Sequence, residues 1–313
     1  MANGAGHYVP PALGAPCRVS LAARDLPATE DFYAAVLGWS FRPSSFGDGF
    51  RIALCDGKPV AGIGPLAGCD GKPVAGIGPL AGRWQMTVVW TPYFAVPNAD
   101  ETAARIRERG ATVAIGPLAL GHGRAAHAAD RDGAAFGIWE GRTLVCSVGQ
   151  EDAPAHLELR TRDIFDSAVF YAEVFGWAAG HSACYVAYEE DRVVVRQDGH
   201  TVAALHGGGI EAAPDPKVRP RWHVHFHVKD AEAVSAAALA AGGAVFLGAS
   251  ASDAPAAHAV IRDPDGGLFT VPRHRASGSG ARRGQRHDLD MCCQLADRSA
   301  PHVFAFWIAM RPA

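Results

Sequence analysis

The chain is built on an internal repeat. Residues 32–39 read FYAAVLGW and residues 170–177 read FYAEVFGW. Two further matches follow in the same order, DRDG at 130–133 and DPDG at 263–266, each before a short apolar run. Agreement in both order and spacing indicates a duplication, so the two halves should share one fold.

Each half divides again into two similar modules. Residues 17–23 alternate as a strand does, and a helix is predicted over 27–37, with Asp25 at its start and Gly38 at its end. Short strands with hairpin turns follow, and a second strand and helix (98–109) restart the pattern. The chain therefore predicts an α+β fold of four tandem βαβββ modules. One module is too small for a good core, so modules should pair. The first module could pair with the second or with the fourth.

Composition and the repeat together suggest the domain boundaries. They are a flexible arm over 1–14, a first domain over 15–142, a linker over 143–152, a second domain over 153–273 and a tail over 274–313. The tail begins with a Gly-, Ser- and Arg-rich run that predicts disorder. Its apolar stretch VFAFWIAM (303–310) leaves a docked strand or a partner-binding segment as the alternative.

A second repeat lies inside the first module. The fourteen residues CDGKPVAGIGPLAG at 55–68 recur letter for letter at 69–82. Only one copy can occupy the strand position that residues 202–205 hold in the third module. We expect the other copy to be an extruded hairpin or loop.

Charge and cysteine content narrow the function classes. The net charge of −3 gives no basic excess for nucleic acid or an anionic membrane, and no stretch approaches the ~18 apolar residues of a membrane span. The seven cysteines form no CxxC pair, which is typical of a reducing compartment. We therefore expect a cytoplasmic monomer or homodimer whose partner is a small molecule, with no nucleic acid and no membrane.

Three features together resemble a known superfamily. The βαβββ module, the FYxxVxGW helix end and the DxDG turn before the last strand are similar to the vicinal oxygen chelate superfamily, which includes glyoxalase I, extradiol dioxygenases and bleomycin-resistance proteins. The resemblance covers about residues 15–142 and 153–273 and is closest to tandem two-domain glyoxalase-like proteins. It implies two half-open β-barrel domains with ligand on the concave side. In enzymatic members, His and Glu from the first and last strands bind a divalent metal.

The first half departs from that metal pattern. Strand alternation turns Arg18, Ser20, Thr91 and Tyr93 toward the cleft. The resemblance puts metal-ligand positions at Arg18, Thr91 and Gly137, none of which is an ordinary ligand. The four cleft-facing side chains could hold an anionic or aromatic ligand, or could simply form a polar lining.

The second half keeps more of the pattern. The residues predicted to face its cleft are His156, Glu158, Arg160, His223, His225 and His227. The resemblance makes His156 and His223 metal ligands, but the expected last-strand Glu falls near Thr270. Glu158 could supply the carboxylate instead, with His206 as a weaker substitute, for Fe, Zn, Ni or Mn. Alternatively Arg160, His225 and His227 contact a ligand without metal.

Three functions therefore remain open from the sequence. The first is a small-molecule binding protein with cleft-type sites lined by aromatic side chains, for which the candidates are Trp84, Trp90, Tyr93, Trp139 and Trp222. The second is a metal-dependent lyase, isomerase or dioxygenase that uses the second domain. The third is a non-catalytic scaffold.

Overall fold

The structure is a computed structural model that describes most of the chain up to residue 272. The described residues are 8–44, 46, 49–65, 88–144, 155–178, 183–189, 191–207, 219–247 and 258–272. The predicted tail and the second copy of the fourteen-residue repeat lie outside these ranges.

The helices begin and end as the sequence predicts. They are α1 (Leu26–Leu37), α2 (Ala99–Glu108), α3 (Ile164–Phe175) and α4 (Ala231–Ala240). Each starts after an Asp or Asn whose side chain accepts backbone N–H groups of the first turn. Helices α1 and α3 stop at Gly38 and Gly176, which have φ of 67° and 74°. Glycine adopts this left-handed conformation without steric cost, so the repeated "GW" motif marks a helix end.

The first half forms one open eight-stranded sheet. Its strands are β2 (Pro16–Ala23), β3 (Ser40–Pro43), β4 (Arg51–Cys55), β5 (Lys58–Pro65), β6 (Trp90–Ala95), β7 (Thr112–Leu120), β8 (Gly123–Ala129) and β9 (Ala135–Gly141). Their order across the sheet is β3-β4-β5-β2-β6-β9-β8-β7. A separate two-stranded ribbon pairs β1 (Tyr8–Val9) with β10 (Thr143–Leu144).

The second half repeats this sheet. Its strands are β11 (Ala155–Arg160), β12 (Cys184–Tyr188), β13 (Arg192–Gln197), β14 (His200–His206), β15 (Arg221–Phe226), β16 (Ala244–Leu247), β17 (His258–Arg262) and β18 (Leu268–Pro272). Their order is β12-β13-β14-β11-β15-β18-β17-β16, the same topology as in the first half. The predicted α+β fold of four βαβββ modules, paired into two half-open sheets, is confirmed.

The strand pairing shows which modules combine into one sheet. At the centre of each sheet the first strands of two consecutive modules run antiparallel, β2 beside β6 and β11 beside β15. The first module therefore pairs with the second, and the third with the fourth.

The helices join the two halves. Helix α1 contacts α4 and α2 contacts α3, and a single cluster of buried apolar side chains spans both sheets. Two matched hydrogen bonds cross this core: Tyr33 Oη donates to Asp263 Oδ2 and Tyr171 Oη donates to Asp130 Oδ2, each over 2.9 Å. Residues 1–274 accordingly form one compact unit.

The structure adds detail on two of the predicted segments. Tyr8–Val9 of the predicted arm (1–14) pairs with Thr143–Leu144 at the start of the predicted linker (143–152). A strand of two residues is too short for alternation to predict it. For the fourteen-residue repeat, the first copy supplies Cys55 at the end of β4, the turn and β5, so it occupies the strand position of 202–205. In the described part of the chain, no helix has the length and apolar character of a membrane span.

Candidate functional site

The concave face of the first sheet carries the four side chains that alternation assigned to it. Strand β2 pairs with β6 so that Arg18 lies opposite Tyr93 and Ser20 opposite Thr91. The alternate residues Val19 and Leu21 are buried on the helix side of the sheet. Because side chains alternate along a strand, Arg18 and Ser20 face the cleft, whereas Val19 and Leu21 face the core.

Arg18 lies at the centre of an aromatic cluster. Its guanidinium carbon is 4.4 Å from the ring centroid of Trp139, 4.5 Å from that of Tyr93 and 4.8 Å from that of Phe46. Its Nε and Nη1 atoms are buried and make no hydrogen bond within the described residues. Three rings thus surround the cation, and no ion pair joins it to an Asp or Glu within the described ranges.

A cleft opens beside Arg18. It has about 600 Å³ of space, including its mouth, and its wall includes Phe46, Trp139, Arg51 and Arg142. No Asp or Glu is among the described residues that line it. A lining with arginines and without carboxylates among the described residues favours an anionic ligand over a cationic one.

The first cleft does not fit a divalent metal. A Cβ added to Gly137 would lie 2.3 Å from the ring of Tyr93, so this ring covers the position where the superfamily's last-strand carboxylate would stand. Arg18 occupies the first-strand position with a fixed positive charge. At two of the three metal-ligand positions of the superfamily, 18 and 137, the cleft thus has a cation and a space filled by an aromatic ring instead of ligands.

Sequence reasoning missed one titratable group near this cleft. His127 Nε2 lies 3.2 Å from Thr91 Oγ1, and burial lowers the pKa of His127 from its ordinary value. His127 precedes the DRDG motif by three positions on β8, and only the pairing of β8 with β9 brings it beside Gly137.

In the second half, strand register groups the histidines differently from the sequence prediction. His156 lies opposite His225, whereas His223 lies opposite Glu158. The rings of His156 and His225 stack with centroids 4.4 Å apart, and His156 Nδ1 is 3.1 Å from His227 Nε2. The two predicted metal ligands, His156 and His223, are therefore diagonal neighbours, and the close histidine group is His156, His225 and His227.

The carboxylate of this cleft is already engaged. Glu158 Oε1 forms an ion pair with Arg160 Nε at 2.5 Å, and Oε2 lies 3.4 Å from His225 Nε2. Burial alone would raise the pKa of Glu158, but His225 and Arg160 together hold it well below its ordinary value. Burial, with the charge of Arg221, lowers the pKa of His223 to about 3, so this imidazole is neutral at neutral pH.

These residues do not fit the metal centre that the resemblance implied. No three His, Cys, Asp or Glu side chains of the described ranges are grouped so that they could hold a metal ion. Thr270 lies beside His225 in the strand pairing, where the superfamily pattern has Glu. His225 and Thr270 are 7% and 1% exposed; His225 Nε2 contacts Glu158, whereas Thr270 Oγ1 makes no hydrogen bond to described residues. The site is polar and buried, and Thr270 Oγ1 could bind a hydrogen-bonding ligand.

Two tryptophans expected in the clefts belong to the core instead. Trp90 Nε1 donates to Tyr33 Oη at 2.9 Å, and Trp222 Nε1 donates to Tyr171 Oη at 3.0 Å. Both lie on the helix side of their strands, so the prediction that they line the clefts was wrong. Trp139 does line the first cleft, whereas Trp84 lies outside the described residues.

Comparisons with known proteins agree with this fold. The family model "Glyoxalase-like domain" matches residues 156–272. A Mycobacterium bovis protein named "Putative glyoxylase CFP32" is 32% identical over 269 residues, covering 82% of this chain and 94% of that protein. The anthracycline biosynthesis protein DauV of Streptomyces sp. strain C5 is 30% identical over 279 residues, covering 87% of this chain and 97% of that protein.

A solved structure gives a more distant likeness. The Mn(II)-bound glyoxalase from Novosphingobium aromaticivorans is 16% identical with a TM-score of 0.48, and the match covers 83% of this chain and 82% of that one. The assignment rests on the sequence relatives, which match across both halves. The chain belongs to the glyoxalase-like proteins of the vicinal oxygen chelate superfamily.

Proposed function

We propose that the protein is a small-molecule binding member of its family and that its first cleft is a ligand site. One observation carries the proposal: the guanidinium of Arg18 lines an open cleft, surrounded by three aromatic rings, and its buried Nε and Nη1 atoms make no hydrogen bond to the residues that the structure describes. A cation–π contact contributes about 0.5–2 kcal/mol. Removing an ion from water costs roughly several kcal/mol, so the rings offset only part of that cost. A bound ligand would supply the rest.

The names of the relatives support a role in small-molecule chemistry. One is named for glyoxylase activity and others for anthracycline biosynthesis. These names differ, so they support the class of ligand, a small organic molecule, rather than a particular substrate.

A ligand-stabilisation screen tests the proposal. Ligand at a hundred times its dissociation constant should stabilise the folded chain by roughly 2.7 kcal/mol. The screen should include anionic, neutral and cationic compounds and use melting temperature as the readout. Hits should lose their effect in Arg18→Gln but keep it in Arg107→Gln, a matched charge loss at an exposed helix position. A library in which no compound stabilises the wild-type chain would contradict the proposal.

A second candidate is metal-dependent lyase, isomerase or dioxygenase chemistry in the second half. The contacts of His156 with His225 and His227 bring together imidazoles, which bind Fe, Zn and Ni, although these three side chains are not grouped as a metal centre within the described residues. Elemental analysis of protein purified without a His tag separates the two candidates. Stoichiometric metal that EDTA removes with loss of stability, and that His156→Ala no longer binds, would favour the metal-dependent function.

A further inference from the structure

We infer that the first cleft recognises a flat aromatic carboxylate, with Arg18 binding the carboxylate and the ribbon of β1 and β10 forming one wall. This inference rests on the proposed function and adds the chemical class of the ligand.

Arg18 differs from the other arginines of the cleft in its hydrogen-bond and ion-pair contacts. Arg51 Nε already pairs with Glu30 Oε1 at 3.0 Å, and Arg142 Nη2 donates to the backbone oxygen of Tyr8 at 2.5 Å. Arg18 contacts three aromatic rings, and its Nε and Nη1 make no hydrogen bond to described residues. A carboxylate accepts from a guanidinium through short, charge-assisted hydrogen bonds, so an anionic ligand satisfies Arg18 where a neutral one would not.

The walls of the cleft favour a flat ligand. The rings of Phe46 and Trp139 lie 5.3 Å apart, and Phe50 meets Phe46 edge to face at 6.3 Å. Ala61 and Gly62 line the cleft on β5, where small residues leave room above the sheet. Aromatic walls above small residues suit a ring system, which stacks or packs edge to face against them.

The ribbon is fastened close to Arg18. Thr143 Oγ1 donates to the backbone oxygen of Cys17 at 3.0 Å, which ties β10 to the residue before Arg18. Strand β1 pairs with β10, and Tyr8, Thr143 and Leu144 line the cleft. Removing β1 should therefore open one side of the site while leaving both sheets paired.

Calorimetric titration of the full chain with three matched probes tests the inference. The probes are 2-naphthoate, which is flat and anionic; 2-naphthamide, which is flat and neutral; and decalin-2-carboxylate, which is anionic and not flat. We expect 2-naphthoate to bind at least tenfold more tightly than either of the others. In Arg18→Gln its advantage over 2-naphthamide should disappear, whereas Arg18→Lys should keep part of it and Arg107→Gln all of it. A chain that starts at residue 10 should bind 2-naphthoate several-fold more weakly, with its melting temperature near that of the full chain.

The outcomes separate this inference from the proposed function. If 2-naphthamide binds as tightly as 2-naphthoate, or if Arg18→Gln keeps the preference, the ligand class is wrong and small-molecule binding stands. The ligand class is also wrong if none of the three probes binds while other compounds of the library stabilise the chain. If nothing in the library binds, the proposed function itself fails. Should Arg18→Gln not fold, as judged by circular dichroism, Arg18→Lys and the shortened chain still decide the result.

Discussion

Arg18 shows which part of a site strand alternation predicts. The alternation of β2 places Arg18 on the concave face, because successive side chains of a strand point to opposite sides. The rings around it could not be predicted in the same way. Phe46 follows β3 and Trp139 lies on β9, so their approach depends on the curvature of the whole sheet. The residue pattern of one strand thus predicts on which face of the sheet a side chain lies, whereas the residues that surround it depend on the tertiary structure.

The histidines of the second half show a different limit. Alternation correctly put His223, His225 and His227 on one face, but pairing His156 with His223 required the cross-strand register. Periodicity along one strand leaves that register open, because a shift of two residues keeps every side chain on the same face. The structure therefore moves the expected partner of His156 from His223 to His225.

His127 supplies a prediction about pH. Its folded-state pKa is lowered by burial, so as pH falls below about 6.5 the unfolded chain takes up a proton that the folded chain does not. Stability should therefore fall on acidification, by at most about 2 kcal/mol at pH 5 from this group. His127→Gln should show a smaller drop in unfolding free energy between pH 7 and pH 5 than wild type, measured by denaturant titration. An equal drop in both proteins would show that His127 titrates normally in the fold.

At the scale of elements, the sequence predicted the helix ends and turns that single residues determine. Asp25 and Gly38 bound α1 because capping and left-handed backbone are properties of single residues. The turn Asp56–Gly57 closes the hairpin of β4 and β5, and both residues have positive φ. The ribbon of β1 and β10 has no such signal, since its partners are far apart in sequence.

The fourteen-residue repeat gives a prediction at this scale. Deleting one copy should leave the fold and melting temperature nearly unchanged, because the first copy already supplies the turn after β4 and the whole of β5. Shortening a connection changes its closure entropy only slightly, by about 0.6 kcal/mol per halving of length. Differential scanning calorimetry of the shortened chain checks this, and a large loss of melting temperature would show that both copies are structural.

The two copies also provide their own matched control. Val60 is 1% exposed on β5, and Val74 is its counterpart in the second copy. Val60→Ala should cost about 2 kcal/mol, from two buried methyl groups and the space they leave, whereas Val74→Ala should cost little. Equal losses in the two variants would overturn the assignment of the strand to the first copy.

At the scale of the molecule, the DxDG motif has a second role that the sequence did not reveal. It was interpreted as a turn, which it is, but its first Asp also accepts from a tyrosine of the other half. The matching tyrosines belong to the repeated FY motif, so the two motifs that revealed the duplication meet across its interface. A repeat shows that the halves are alike; it does not show that they share a core.

The cross-half hydrogen bonds should contribute measurably to stability. Tyr33→Phe removes the hydrogen bond that Asp263 Oδ2 accepts and the one that Trp90 Nε1 donates, and Tyr171→Phe does the same for Asp130 Oδ2 and Trp222 Nε1. Each unsatisfied buried group costs about 1–3 kcal/mol, and 1 kcal/mol lowers the melting temperature of a chain of this size by roughly 1.5–2 °C. Both variants should therefore melt several degrees below wild type. Tyr185→Phe, at an exposed residue, is the control and should melt with wild type.

The central claim is that the first cleft is a ligand site, and locating a bound ligand tests it most directly. Crystals grown with 6-bromo-2-naphthoate would place the bromine by anomalous scattering and the carboxylate by difference density. We expect the carboxylate to lie within about 3 Å of Arg18 Nε or Nη1, the distance of a charge-assisted hydrogen bond, and the naphthalene rings to contact Phe46 and Trp139. Ligand bound among His156, His225 and His227 instead, with the first cleft empty, would contradict it.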